Sequence, residues 1–293
     1  MMQIEKISLN DIENENKYLL SFPLNSSNCK MLIATFPFTI FVIIDKKNRI
    51  VFGFEFIKYF ITCGKDEIDV IKIDVVEKEA LVYAYNYKQK FFKFNTYEKL
   101  YFLQKILKYH TVADIYKLVN LEFSVNDELM KNLTLLLDEE FTKNLINDTI
   151  NLKSALQLCR WARDDRLSVL ELFNRVSFSK NYQLNIIDMI EEIIFKEKNN
   201  AKIIFEQLEL SKLYDEEKPQ RDILEKIFSY RYPLYDKETK LWNSKIKELK
   251  LPSNIKITHS PFFEKKDIEM RINIKNLVEL QAISEKLQTK SQS

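Results

Sequence analysis

The chain has 293 residues, 46% of them apolar and 30% charged, with 45 basic side chains against 43 acidic ones. At roughly 100–200 residues per domain this length points to two or three domains with ample core, and the near-balanced charge offers no global field to a polyanionic partner. No apolar run reaches the ~18 residues of a membrane span and no secretory leader opens the sequence, so a cytoplasmic protein with no membrane partner is expected. Cys29, Cys63 and Cys159 lie far apart without a CxxC pair and read as reduced, mostly buried thiols. With only His110 and His259 in the chain, zinc and Cys/His nucleophile chemistry have almost no material, and no metal site is expected.

Charge divides the chain into three stretches: 16 basic and 13 acidic residues over 1–110, 11 and 15 over 111–200, and 18 and 15 over 201–293. In the first, Phe38–Ile44 is β-branched and aromatic and predicts a strand, Asp45–Asn48 a polar turn, and Arg49–Phe52 the returning strand. Gly53 breaks that hairpin, Phe54–Cys63 reads as a short apolar helix stopped by Gly64, and Ile68–Ile73 as a strand. After the apolar stretch Leu81–Tyr85, Asn95 as N-cap and Glu98 at the third helical position open an amphipathic helix to about Lys108. From Thr111 to Asn199 the pattern is helical throughout, punctuated by Asn126-Asp127, Asp138, Asn151, Asp164-Asp165 and Ser179. Helices over Gln220–Ser229 and Lys237–Leu249 follow, then strands at Ile255–Thr258 and Ile268–Ile274, a helix over Asn276–Leu287 and a frayed tail, Thr289–Ser293. The expected fold is α+β: an N-terminal α/β domain over 1–110, an all-helical domain over 111–200 and a small C-terminal α+β unit over 201–293.

Glycine is scarce, with two residues where average usage near 7% would give ~20. Walker and Rossmann phosphate loops cannot be written with one glycine per loop, so both are excluded. The two glycines bracket Gly53-Phe-Glu-Phe-Ile-Lys-Tyr-Phe-Ile-Thr-Cys-Gly64, a helix between strands. This segment resembles the core of the ParB/sulfiredoxin-like superfamily, where a first glycine leads a Gly-Glu-Arg-Arg box and a second ends the helix. Ala84-Tyr85-Asn86-Tyr-Lys-Gln89 is similar to that family's Glu-Asn-x-x-Arg box, and Phe94-Asn-Thr-Tyr-Glu98-Lys99 to its Leu-Asn-Pro-Ile-Glu-Lys helix start. Leu118–Ser124 stands where a partition protein's helix-turn-helix begins, and Ile150–Ala155 with Trp161–Asp165 resembles the stretch after it. Arg231-Tyr-Pro233, Leu251-Pro252 and Phe262-Phe-Glu264 echo a C-terminal region of some ParB-like proteins.

The resemblance implies a bacterial-type chromosome- or plasmid-partition protein that binds DNA and holds CTP or ATP with magnesium at Gly53, Glu55, Lys58, Asn86, Lys88 and Gln89. The residues at those positions depart from the pattern. Where the family places arginine forks that grip phosphate oxygens, this chain has Glu55, Phe56 and Gln89; where it has small alanines, Tyr59 and Phe60. Lys58, Lys88 and Lys90 supply positive charge that Glu55 opposes, so an aromatic-filled, vestigial pocket with no catalytic residue and no cofactor is expected. For DNA, the recognition helix falls near Asn126–Leu137 with Lys131, Asn132 and Thr134, in a net-negative stretch beside Asp127 and Glu128. Arg160, Arg163 and Arg166 form a basic row in which Arg160 is expected to pair with Asp164. Lys237–Lys256, with six lysines including Lys245, Lys247 and Lys250 against two glutamates, is the stronger electrostatic candidate. His110 is expected against the carbonyls ending the long helix. The expected function is a non-catalytic DNA-binding or scaffold protein related to partition systems, its DNA contact weak and salt-sensitive, with a protein partner or self-association. The alternative is a diverged ParB-like nucleotide hydrolase or kinase working through Glu55, Lys58 and Asn86.

Overall fold

The computed structural model describes residues 2–13, 18–20, 26–35, 41–260, 263 and 267–274. The fold is α+β, and the chain divides into two compact units, Met1–Ile187 and Asp188–Ser293. The boundary expected near residue 110 falls inside the first unit and the one near 200 inside the second.

The first unit opens with β1 (Met2–Ser8), α1 (Ser26–Thr35), β2 (Ile43–Asp45), β3 (Ile50–Phe52), α2 (Phe54–Thr62), β4 (Glu67–Ile73), α3 (Glu77–Gln89) and α4 (Thr96–Ile106). Its sheet runs β1-β4-β2-β3, with β4 antiparallel to β1 and parallel to β2, and β2–β3 an antiparallel hairpin. The hairpin closes because the Asp45 carboxylate accepts the amides of Lys47 (2.9 Å) and Arg49 (3.0 Å), while Asn48 takes a left-handed φ of 60°. Every residue of β2 and β3 is buried, and α3 packs on β3. The expected hairpin, α2 and β4 stand where the sequence put them; residues 38–40 lie outside the described residues. Two elements carry no sequence signal. β1 is an edge strand whose Gln3, Glu5 and Lys6 break the apolar alternation, and α1 shows little apolar periodicity. Leu81–Tyr85 lies inside α3, which buries Ala80, Leu81, Ala84, Tyr85 and Lys88 on one helical face.

The unit continues with α5 (Val112–Leu118), α6 (Asp127–Leu136), α7 (Glu139–Ile146), α8 (Leu152–Leu158) and α9 (Arg163–Arg175), and with the start of α10 (Lys180–Glu197). Asn95 forms a complete capping box with Glu98, and Thr111, Asn126, Asp138 and Asn151 cap α5, α6, α7 and α8 with their side chains. The expected punctuation at Asp164-Asp165 is corrected: Ala162 is the N-cap of α9, and the two aspartates sit in its first turn, where they complement the helix dipole.

The second unit holds α11 (Ala201–Gln207), capped by Asn200, then α12 (Pro219–Arg231), α13 (Pro233–Glu248) and an antiparallel hairpin of β5 (Ile255–His259) and β6 (Ile268–Ile272). Proline opens both α12 and α13, where its missing N–H costs nothing. Trp242 and Tyr235 of α13 meet His259 and Phe263, but no residue of α13 is fully buried. The helix expected over 276–287 and the tail lie outside the described residues.

Candidate functional site

The site proposed from sequence begins at Gly53, whose φ is 99°. A Cβ there would stand 2.2 Å from the Phe41 carbonyl oxygen, so the glycine serves the approach of two backbones. Gly64, at φ 68°, faces open space and only ends α2. The turn at Gly53 drives the first residues of α2, Phe54 to Ile57, into the core. Phe56 stacks on Phe41 at 4.4 Å, and Phe52, Tyr87, Phe91 and Phe92 extend the aromatic cluster around them. Tyr59 and Phe60, expected as bulk beside the pocket, are half-buried further along α2.

Glu55 is buried at the start of α2, and burial raises its carboxyl above the ordinary range; its own amide and the Lys88 ammonium pull the other way, and Glu98 adds to the rise. Lys88 is buried too, its Nζ donating to Glu98 Oε1 at 2.8 Å and lying 4.6 Å from the Phe94 ring centre. Burial lowers the Lys88 pKa and the Glu98 carboxylate partly restores it. Glu98 Oε2 meanwhile accepts the Asn95 amide at 3.1 Å, so one carboxylate both closes the cap of α4 and neutralises Lys88. Among Gly53, Glu55, Ala84, Lys88 and Tyr18 the space left is about 10 Å³, room for about one water.

The second box is tied up in the same way. Tyr85 is buried between Phe94 (4.5 Å) and Phe102 (4.1 Å), its hydroxyl donating to the Asn120 carbonyl at 3.1 Å, and burial raises its pKa. Asn86 donates to the Leu118 carbonyl (3.2 Å) and Gln89 to that of Asn120 (3.1 Å). The structure thus brings Gly53, Glu55 and Lys88 together, sets Asn86 and Gln89 on the turn after α5, and leaves Lys58 exposed on α2.

On α6, Lys131 and Thr134 are exposed, while the Asn132 amide donates to the Glu128 carbonyl at 2.9 Å. Arg160 does not pair with Asp164: it precedes α9, so the two share no helical face, and its guanidinium reaches Glu128 on α6 instead. Arg163 and the buried Arg166 both hold Glu140 of α7, Arg166 with two nitrogens on one oxygen (2.9 and 2.6 Å). Burial opposes ionisation of Glu140, but the two guanidiniums hold its carboxyl below the ordinary range. Lys245, Lys247 and Lys250 are exposed at the end of α13, with no ion pair among the described residues.

Cys63 is exposed rather than buried, because α2 buries only its first turn; Cys159 is half-buried, and burial pushes its thiol up to about 11. The His110 amide donates to the Ile106 carbonyl that ends α4, while the imidazole lines an open groove of about 800 Å³ on the outer side of α3. Sequence reading missed that groove, because its residues share a face only once Glu77–Gln89 is known to be a helix. Among the described residues no cluster of His, Cys, Asp and Glu is placed to hold a metal ion, and no helix is long and apolar enough to cross a membrane.

No family model and no curated protein matches the chain. Among solved structures it is similar to a pNOB8-like ParB N-domain, at 18% identity over 82% of this chain and 97% of that one, with a TM-score of 0.37. A second crystal form of the Pnob8-like ParB-N domain aligns at 15% identity over 78% and 98%, with a TM-score of 0.40.

Proposed function

We propose that this chain is a non-catalytic binding or scaffold protein of ParB-like descent, with a nucleotide pocket that has become core and a weak, electrostatic hold on DNA. The observation that carries the first part is the fate of the pocket. Glu55, Lys88 and Glu98 form a buried charge group where a triphosphate would need convergent donors, the remaining space is about 10 Å³, and two of the three charges are carboxylates. Asn86 and Gln89 each spend one amide hydrogen on a backbone carbonyl of the turn after α5, which fixes where the second can point. CTP or ATP with magnesium does not fit these residues.

The DNA reading rests on Lys245, Lys247 and Lys250, exposed and without ion pairs among the described residues. The α6 candidates Lys131, Asn132 and Thr134 stand beside Asp127, Glu128 and the Glu128–Arg160 pair, where phosphate is repelled as much as attracted. Two measurements test the proposal on the full chain. Calorimetry with CTP or ATP and magnesium is expected to give no binding tighter than ~1 mM; a Kd below about 100 μM that is lost in the exposed-site variant Lys58→Ala would restore the enzyme alternative. Duplex DNA binding is expected to vanish between 50 and 200 mM salt, with the log–log slope reduced by ~0.9 for each lysine of the three changed to glutamine. Sequence-selective binding that survives 200 mM salt would overturn the electrostatic reading.

A further inference from the structure

Helix α3 has two faces with different surroundings. Ala80, Ala84 and Lys88 turn into the core, and the opposite face carries Lys78, Val82, Tyr83 and Lys90. That face and the end of α5, with Lys117 and Leu118, border an open groove of about 800 Å³, within the size range of ligand sites. Its floor is apolar: Tyr83 and Leu118 each stay 38% exposed. Its rim is cationic, and the charge is little used within the fold. Lys78 forms no ion pair among the described residues, and the Lys117 partner, Asp114, is 3.9 Å away with both side chains in solvent. Lys90 lies over the Tyr87 ring at 5.3 Å, and the lining holds one acidic side chain, Glu79, against three lysines.

We propose that this groove binds an acidic peptide segment, one apolar side chain seated on Val82, Tyr83 and Leu118 and flanking carboxylates meeting Lys78, Lys90 and Lys117. Charge complementarity sets the sign of the occupant. Val82 and Leu118 give the floor an aliphatic ledge that suits a leucine-type anchor, beside the rings of Tyr83, Tyr87 and His110, on which a base could stack, so competition with oligothymidylate decides between the two. Glu79, set among the three lysines, opposes an unbroken run of phosphates, whereas a peptide can set a neutral residue beside it. The groove shares Asn86 and Lys90 with the residues named for the nucleotide pocket but opens on the face of α3 away from Glu55 and Lys88.

The experiment is fluorescence polarisation on the full chain with a labelled peptide of sequence Glu-Glu-Leu-Glu-Leu-Glu-Glu, alongside the same peptide with lysine for glutamate and a twelve-residue oligothymidylate. The acidic peptide is expected to bind with a Kd on the order of 100 μM at low salt, and the lysine peptide not at all. Lys78→Glu/Lys90→Glu/Lys117→Glu is expected to weaken binding at least about tenfold, and Tyr83→Ala to weaken it with all charges kept. If the triple reversal perturbs the circular dichroism spectrum, Lys78→Ala/Lys90→Ala/Lys117→Ala replaces it with the same expectation. Equal binding of the lysine peptide, displacement by oligothymidylate at lower concentration than by unlabelled peptide, unchanged affinity in the variants, or no binding at millimolar peptide would each overturn the proposal.

Discussion

At the scale of single residues, the glycines separate a functional reading from a mechanical one. Both stand at box positions of the ParB resemblance, yet their surroundings differ. Gly53 faces the Phe41 carbonyl at a distance no Cβ tolerates, while Gly64 has nothing within 4 Å. Gly53→Ala is therefore expected to destabilise the chain by about 3 kcal/mol or more, from left-handed strain and a backbone clash together. Gly64→Ala has only the left-handed strain and should cost ~1 kcal/mol. Urea denaturation of the two variants checks this, and equal losses would show that close approach is not what holds glycine at 53. The buried charges follow the same logic. Removing Lys88 from Glu98 leaves a carboxylate stranded in the core, which makes the pair a structural tie whatever its ancestry.

At the scale of elements, helices in the first unit are held by polar side chains at their ends as much as by apolar faces. Gln183 of α10 is buried; its Oε1 accepts from the Asn151 amide (3.0 Å) and side chain (2.6 Å), and its Nε2 donates to the carbonyls of Thr149 (3.0 Å) and Phe178 (3.1 Å). One side chain thus fixes the entry to α8 and the entry to α10. Gln183→Leu keeps the volume and strips all four bonds, and is expected to cost about 3 kcal/mol by thermal or chemical denaturation. Its exposed neighbour offers the control: Tyr182→Leu should stay within ~0.5 kcal/mol. A loss for Gln183→Leu no larger than for Tyr182→Leu would mean the network is not holding these helix ends.

At the scale of the whole molecule, near-neutral charge hides ionisable groups that the fold moves in opposite directions. Burial, with Lys108 nearby, pushes Lys105 down to about 8, while its Nζ donates to the Leu19 carbonyl at 2.9 Å. Burial and the Asp45 carboxylate raise the Tyr18 hydroxyl to about 12. Between pH 8 and 10 the unfolded chain holds the lysine proton that the folded one has released, so this group makes stability rise with pH. Above about pH 10 the folded chain keeps the tyrosine proton that the unfolded one loses, so stability falls. Unfolding free energies measured from pH 7 to 11 should therefore rise above pH 8, flatten from about pH 9, where the raised Cys159 thiol opposes the lysine, and fall above pH 10; Lys105→Met should make the rise between pH 8 and 9 shallower and leave the fall. A rising limb of the same slope in the variant would assign it to other groups.

Much of the local architecture was written in the residues themselves. Asn95 with Glu98, Asn126, Asp138 and Asn151 mark helix starts because a side-chain oxygen one to three residues from an unsatisfied amide acts without help from the rest of the chain. The β2–β3 hairpin, α2 and β4 were legible for the same reason: apolar runs bounded by Asp45–Asn48 and the two glycines are local patterns. What the sequence by itself could not determine is everything that depends on residues brought from elsewhere. Strand β1 exists through β4, Arg160 chooses Glu128 over Asp164, and Cys63 is exposed because α2 buries only its first turn. The candidate site shows the division most clearly. Sequence named Gly53, Glu55, Asn86, Lys88 and Gln89, but only the tertiary structure decided their partners. Lys88 finds its counter-charge ten residues away, and Asn86 and Gln89 find carbonyls about thirty residues on. Pairing across such separations is set by how helices and strands pack, a property of the folded core that no local window contains.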